Sequence, residues 1–141
     1  MPTRKAQAQW NGGLKNGKGN MKFESGAFSG QYSFSSRFED GTGTNPEELI
    51  AAAHAGCFSM ALSAELEKAD FNPKSVSTQA HVKLEKQGEG FGISNIKLVS
   101  EAEIPEIDND KFQELANGAK KNCPVSQALK SVNIELEATL K

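Results

Sequence analysis

Two cysteines in 141 residues, Cys57 and Cys123, stand in contexts suited to thiol chemistry. Cys57 sits inside an apolar helical run, Leu49-Ile-Ala-Ala-Ala-His54-Ala-Gly-Cys57-Phe-Ser-Met-Ala-Leu. Cys123 is followed at once by Pro124 and a short helical pattern. Such a pair can cycle between dithiol and disulfide. Taken alone, Cys57 has a commoner reading: free cysteine is often a small buried hydrophobe, and a thiol in an apolar helix has a raised pKa. Catalysis there needs a nearby cation. Arg37 is a candidate, set against the ordinary fate of a solvated strand arginine. Pro124 suits the first position of a helix, which puts Cys123 near its N-cap, where unpaired N–H groups favour a thiolate.

Other residues could assist. His54 lies three positions before Cys57 and could orient a partner or move a proton; a satisfied core histidine is the plainer reading. A metal site would have to combine Cys57, Cys123, His54 and His81, but no Cys-x-x-Cys or His-x-x-x-His spacing supports one. Glu47 precedes Cys57 by 10 residues. On one helix that is a rise of about 15 Å, so its carboxylate cannot reach the sulfur of its own chain. If Glu47 serves a cysteine site, it does so from a second copy. Otherwise it complements its own helix dipole.

The elements that would position these groups are legible. Residues 5–10 alternate as a strand, Asn11-Gly12-Gly13 turns, and extended pieces follow at 19–25 and 31–36. Either Thr44 caps a long helix with Glu47 at its third position, or Asn45 caps it with Pro46 at the first position and Glu48 at the third. It runs to about Ala69, because Asn72-Pro73 cannot continue it. Residues 76–86 and 91–103 form a hairpin, Pro105 and Asp108 open a second helix, and Ile134, Leu136, Ala138 and Leu140 mark a closing strand. One-sided alternation predicts antiparallel sheets and a single α+β domain over residues 1–141.

Composition narrows the classes. A net charge of −2 with mixed signs excludes a basic nucleic-acid or membrane-surface patch. The apolar stretch 49–62 is shorter than the roughly 20 residues of a membrane span. No leader pattern is visible at residues 1–7, and two cysteines are too few for a secreted scaffold, so a reducing cytoplasm is expected.

Four motifs, Phe34-Ser-Ser-Arg37-Phe-Glu, Gly43-Thr-Asn-Pro-Glu47-Glu-Leu, Ala53-His-Ala-Gly-Cys57-Phe-Ser-Met-Ala-Leu and Asn122-Cys123-Pro-Val-Ser, resemble the osmotically inducible protein C family. The resemblance runs from Lys5 to the C-terminus, and falls in the branch that is sister to the organic hydroperoxide resistance proteins. It implies an intertwined α+β homodimer with long central helices between sheets and sites at the interface. It implies a thiol peroxidase that reduces organic hydroperoxides to alcohols in defence against oxidative or osmotic stress, without cofactor. By the same resemblance Cys57 is peroxidatic, Cys123 resolving, and Arg37 and Glu47 the activating polar pair. An external thiol reductant, in the sister group a lipoylated protein, would restore the dithiol. The competing reading is a binding module for small hydrophobic ligands with inert cysteines. Under the peroxidase reading, the apolar neighbours Ile50, Phe58 and Met60 favour an alkyl peroxide over a small polar one.

Overall fold

The computed structural model describes residues 1–141, which form two compact units, Met1–Leu49 and Ile50–Lys141. In the first, β1 (Ala6–Asn11), β2 (Lys18–Phe23) and β3 (Ser29–Tyr32) make an antiparallel sheet in that order. Gly19 lets Trp10 and Tyr32 close over the middle strand: a Cβ there would stand 2.5 Å from the Tyr32 ring and 2.6 Å from the Trp10 ring.

Residues 31–36 read as extended in sequence, but only their start is. A short helix, α1 (Phe34–Phe38), follows β3. Ser33 caps it by accepting from the Ser36 N–H, while the Ser36 hydroxyl accepts from the Ser33 N–H. Those two hydrogen bonds satisfy orphan donors at the helix start, which outweighs the extended preference of the preceding strand. Arg37 is therefore a helical residue.

The long helix α2 (Pro46–Lys68) begins as the Asn45 reading predicts: the Asn45 side chain accepts from the Glu48 N–H at 2.7 Å, with Pro46 at the first helical position. Its end comes slightly earlier than the proline requires. Asp70 takes a left-handed φ of 68°, Phe71 N–H bonds Leu66 C=O, and Asp70 N–H bonds Glu67 C=O. That pair of bonds is a Schellman stop.

In the second unit, α2 presents Phe58, Leu62 and Leu66 at i, i+4, i+8, all fully buried. They meet Ile96, Leu98 and Ala102 of β5 (Gly90–Glu103) and Phe112, Ala116 and Ala119 of α3 (Asn109–Asn122) in one core. Each fully buried large apolar side chain contributes roughly 1.5–3 kcal/mol. Ser59 fastens the same helix to the sheet through Thr78, which also contacts Ser100. β4 (Ser75–Gln87) pairs antiparallel with β5, as expected. The closing strand β6 (Asn133–Leu140) departs from expectation: it pairs with β5 in parallel. Alternation tells which face is buried, not which way a strand runs. The helical connection through α3 and α4 (Pro124–Ala128) is long enough for the crossover that a parallel return needs. The α+β class stands.

Candidate active site

Within the second unit the two cysteines, 66 positions apart in sequence, come together: the Cys123 thiol points at the Cys57 Sγ across 2.8 Å. A disulfide bond measures about 2.05 Å, so capture needs little movement. Cys57 is half-buried on α2; Cys123 is fully buried where α3 ends and α4 begins. Its N–H closes α3 on Ala119 C=O, its C=O accepts from Gln127 N–H, and Pro124 opens the short helix. Cys123 does stand at the N-cap position, but its sulfur caps nothing: it faces Cys57 instead.

Burial pushes the Cys57 thiol above its ordinary pKa, and the adjoining Cys123 sulfur pushes the same way; a hydrogen bond from the Val125 backbone N–H opposes them. Sequence anticipates the direction. Without a further cation, Cys57 would be mostly a thiol at neutral pH.

His54 continues the buried row of α2, one turn before Phe58. Its Nε2 lies 2.6 Å from the Ser126 hydroxyl, and its Nδ1 has no partner. Desolvation holds its pKa below the usual value, which favours the neutral ring. Sequence reading misses Ser126, though it sits three residues after Cys123 as His54 sits three before Cys57. His81 lies apart from these groups, on the exposed face of β4.

Arg37 and Glu47 form the other pair, and it belongs to the first unit. Arg37 Nε donates to Glu47 Oε1 at 3.1 Å and a terminal nitrogen donates to Oε2 at 2.9 Å. This two-point contact fixes the guanidinium plane, and Glu47 is almost wholly buried. The backbone around it is sewn together: Ser36 Oγ donates to Thr44 C=O at 2.7 Å and Asn45 Nδ2 donates to Ser36 C=O at 3.0 Å. Arg37 also lies over the Phe38 ring, 5.3 Å from its centre. Of the apolar neighbours, Phe58 is committed to the core, Ile50 is half-buried, and Met60 stands 77% exposed.

Residues 39–137 match the family described as OsmC-like protein. The chain belongs to that family. It is 51% identical over 139 residues to a protein of Escherichia coli (strain K12) named Peroxiredoxin OsmC, covering 98% of this chain and 96% of that one. It is 34% identical over 104 residues to the organic hydroperoxide resistance protein OhrB of Bacillus subtilis, covering 73% of this chain and 74% of the relative. The crystal structure of OhrB superposes with a TM-score of 0.72, covering 97% of this chain and 98% of that one at 29% identity. An OsmC-like protein of Mycoplasma pneumoniae, 15% identical, has the same fold, with a TM-score of 0.77 over 99% of this chain and 97% of that one. These likenesses agree with the resemblance drawn from the four motifs.

Proposed function

We propose that this OsmC-family chain is a thiol-dependent peroxidase that reduces organic hydroperoxides to alcohols, with Cys57 attacking and Cys123 resolving. The carrying observation is the 2.8 Å contact between a half-buried sulfur and a fully buried one. Accessibility supports the order, since a hydroperoxide can approach Cys57 more readily than Cys123. The Cys57 thiolate attacks the distal peroxide oxygen, the O–O bond breaks, and the departing alkoxide takes a proton to become the alcohol. Cys57 is left as a sulfenic acid. Cys123 sulfur then displaces its oxygen as water, forming the disulfide, and an external dithiol restores both thiols while becoming a disulfide itself. A lipoylated protein fits that last role, and a cytoplasmic setting suits a cycle that ends in reduction. A hydrophobic binding module with inert cysteines is not favoured, because inert thiols have no need to face each other.

The test is thiol titration after one equivalent of cumene hydroperoxide, with mass spectrometry of the product. Loss of both thiols and a Cys57–Cys123 disulfide, at rates far above free cysteine, is expected. Two unreacted thiols would overturn the proposal. With Cys123→Ser, one equivalent should be consumed and turnover then stop, with a sulfenic acid on Cys57 trapped by dimedone. Sustained wild-type turnover in that variant would remove Cys123 from the cycle.

The working form is a homodimer in which each chain acts as one domain. α2 supports this. Only 22% of its apolar stretch is buried in the single chain, although by length and composition alone the helix could cross a membrane. Its uncovered face carries Ala53, Gly56, Met60 and Ala64, spaced three and four apart. Small residues at that spacing admit close approach of a second helix, and a second copy would cover the stripe. An antiparallel partner would also bring the Arg37–Glu47 pair of one copy toward Cys57 of the other, and the rise along α2 keeps Glu47 from reaching Cys57 of its own chain. Met60→Glu should shift the protein toward monomer by light scattering and lower activity in parallel. An unchanged dimer would place the interface elsewhere.

A further inference from the structure

The contact between the cysteines depends on where α4 lies, and α4 is only five residues long. A helix this short cannot hold itself in place and takes its position from its surroundings. At its start, Cys123 is tied to the end of α3, and the Gln127 side chain reaches back to Lys121 C=O. Its side toward α2 is held by His54, whose Nε2 meets the Ser126 hydroxyl at 2.6 Å. Both residues are at least 96% buried, so the bond is shielded from bulk solvent. The two residues bracket the thiols: His54 stands three before Cys57, Ser126 three after Cys123. The bond therefore spans the same two helices as the sulfur contact, within a turn of it.

The protonation pattern fits a dedicated bond. A neutral imidazole has one N–H. On Nδ1 it would be a buried donor without a partner; on Nε2 it donates to Ser126 Oγ. Unpartnered buried donors are the rarer case, so the proton is assigned to Nε2. Nothing else in the site answers Nδ1, which makes the bond to Ser126 the reason a histidine lies on this otherwise apolar row.

We propose that His54 and Ser126 are a positioning pair that holds Cys123 against Cys57 during resolution, so that the sulfenic acid closes to a disulfide before a second hydroperoxide reaches it. The inference rests on the two-cysteine reading above. Resolution forms the S–S bond, breaks the S–O bond at Cys57, and releases the oxygen with the Cys123 proton as water. The competing path consumes a second hydroperoxide: its oxygen adds to the sulfenic sulfur, giving a sulfinic acid and a second alcohol. Which path wins depends on the distance between the sulfurs, and a displacement of about 1 Å can cost on the order of 10²-fold in an oriented reaction. First attack at Cys57 does not involve Cys123 and should be less sensitive.

The test separates the two steps in the full-length protein by quenched-flow mass spectrometry with cumene hydroperoxide. In Ser126→Ala, formation of the sulfenic acid should slow by less than about threefold, while its closure to the disulfide slows by about tenfold or more. Cys57 sulfinic acid should then accumulate at hydroperoxide excess. Ser126→Thr keeps the hydroxyl and should restore the wild-type partition. His54→Asn is too short to reach Ser126 and breaks the bond from the other side, giving the same partition if Ser126→Ala does not fold. Closure at the wild-type rate without sulfinic acid would overturn the inference and leave the peroxidase intact. A parallel fall in both steps, or no rescue by threonine, would reduce the pair to a structural role. Wild-type protein that forms no disulfide would instead overturn the peroxidase reading itself.

Discussion

Replacing Cys57 with serine is expected to lower turnover of cumene hydroperoxide by at least about 10³-fold, some 4 kcal/mol of transition-state stabilisation. The change in size is one atom's difference in radius, and the Val125 N–H that now meets the sulfur can donate to an oxygen in its place. Cys57 is half-buried rather than enclosed, so the hydroxyl leaves no large polar group stranded in the core. Fold and association should survive, checked by circular dichroism and light scattering. The chemistry should not survive. A serine hydroxyl is far less acidic than a thiol, and oxygen does not accept a second oxygen as sulfur does on its way to a sulfenic acid. The Cys123 thiol remains, but it is fully buried, and its sulfur faces the substituted position rather than solvent. A Cys57→Ser protein that keeps more than about a tenth of the wild-type rate, a loss of only ~1.4 kcal/mol, would place the reaction at another group.

How much of this was readable beforehand differs by element. The start of α2 was written locally: Asn45, Pro46 and Glu48 lie within one turn, and the observed cap uses them. Strands β4 and β5 likewise announce themselves by period-two alternation around a glycine-rich turn. α1 escaped because its cap is Ser33 answered by Ser36, a serine where the recognisable box has glutamate or glutamine. The direction of β6 escaped for another reason: Ile134, Leu136, Ala138 and Leu140 bury one face whichever way the strand runs. At the candidate site, residue types were visible and distances were not. That Cys57 and Cys123 stand 2.8 Å apart is a product of how α4 sits beneath α2, and no local pattern encodes it. The same holds for His54 and Ser126, where a histidine on an apolar row hinted at a partner without naming it. The Arg37–Glu47 contact was suggested by motif and rests on the fastening of α1 to the start of α2.

Removing the Arg37 charge should have the second largest effect. Burial and the neighbouring sulfur disfavour a thiolate at Cys57, and the Val125 N–H offsets them only in part. A peroxidase working near neutrality needs a further stabiliser of negative charge, and the proposed one is the Arg37 guanidinium of a second copy, held in a fixed plane by its own Glu47. Arg37→Met should therefore lower kcat/KM by about 10²–10³-fold, the loss of roughly 2.7–4 kcal/mol typical of a preorganised electrostatic contact. The sign of the pH response distinguishes this from simple misfolding. A cation beside Cys57 brings its pKa down, so thiolate is available at neutral pH. Without the cation the raised value returns, and thiolate forms only under more alkaline conditions. The variant's rate should climb with pH through a range where the wild type is level, and the deficit should narrow toward the alkaline end. Arg37→Lys keeps the charge but not the two-point contact with Glu47, so it should fall between the two. A pH profile in Arg37→Met parallel to that of the wild type would mean that Arg37 does not set the thiolate, and would leave the helix-start N–H of Val125 as its principal support.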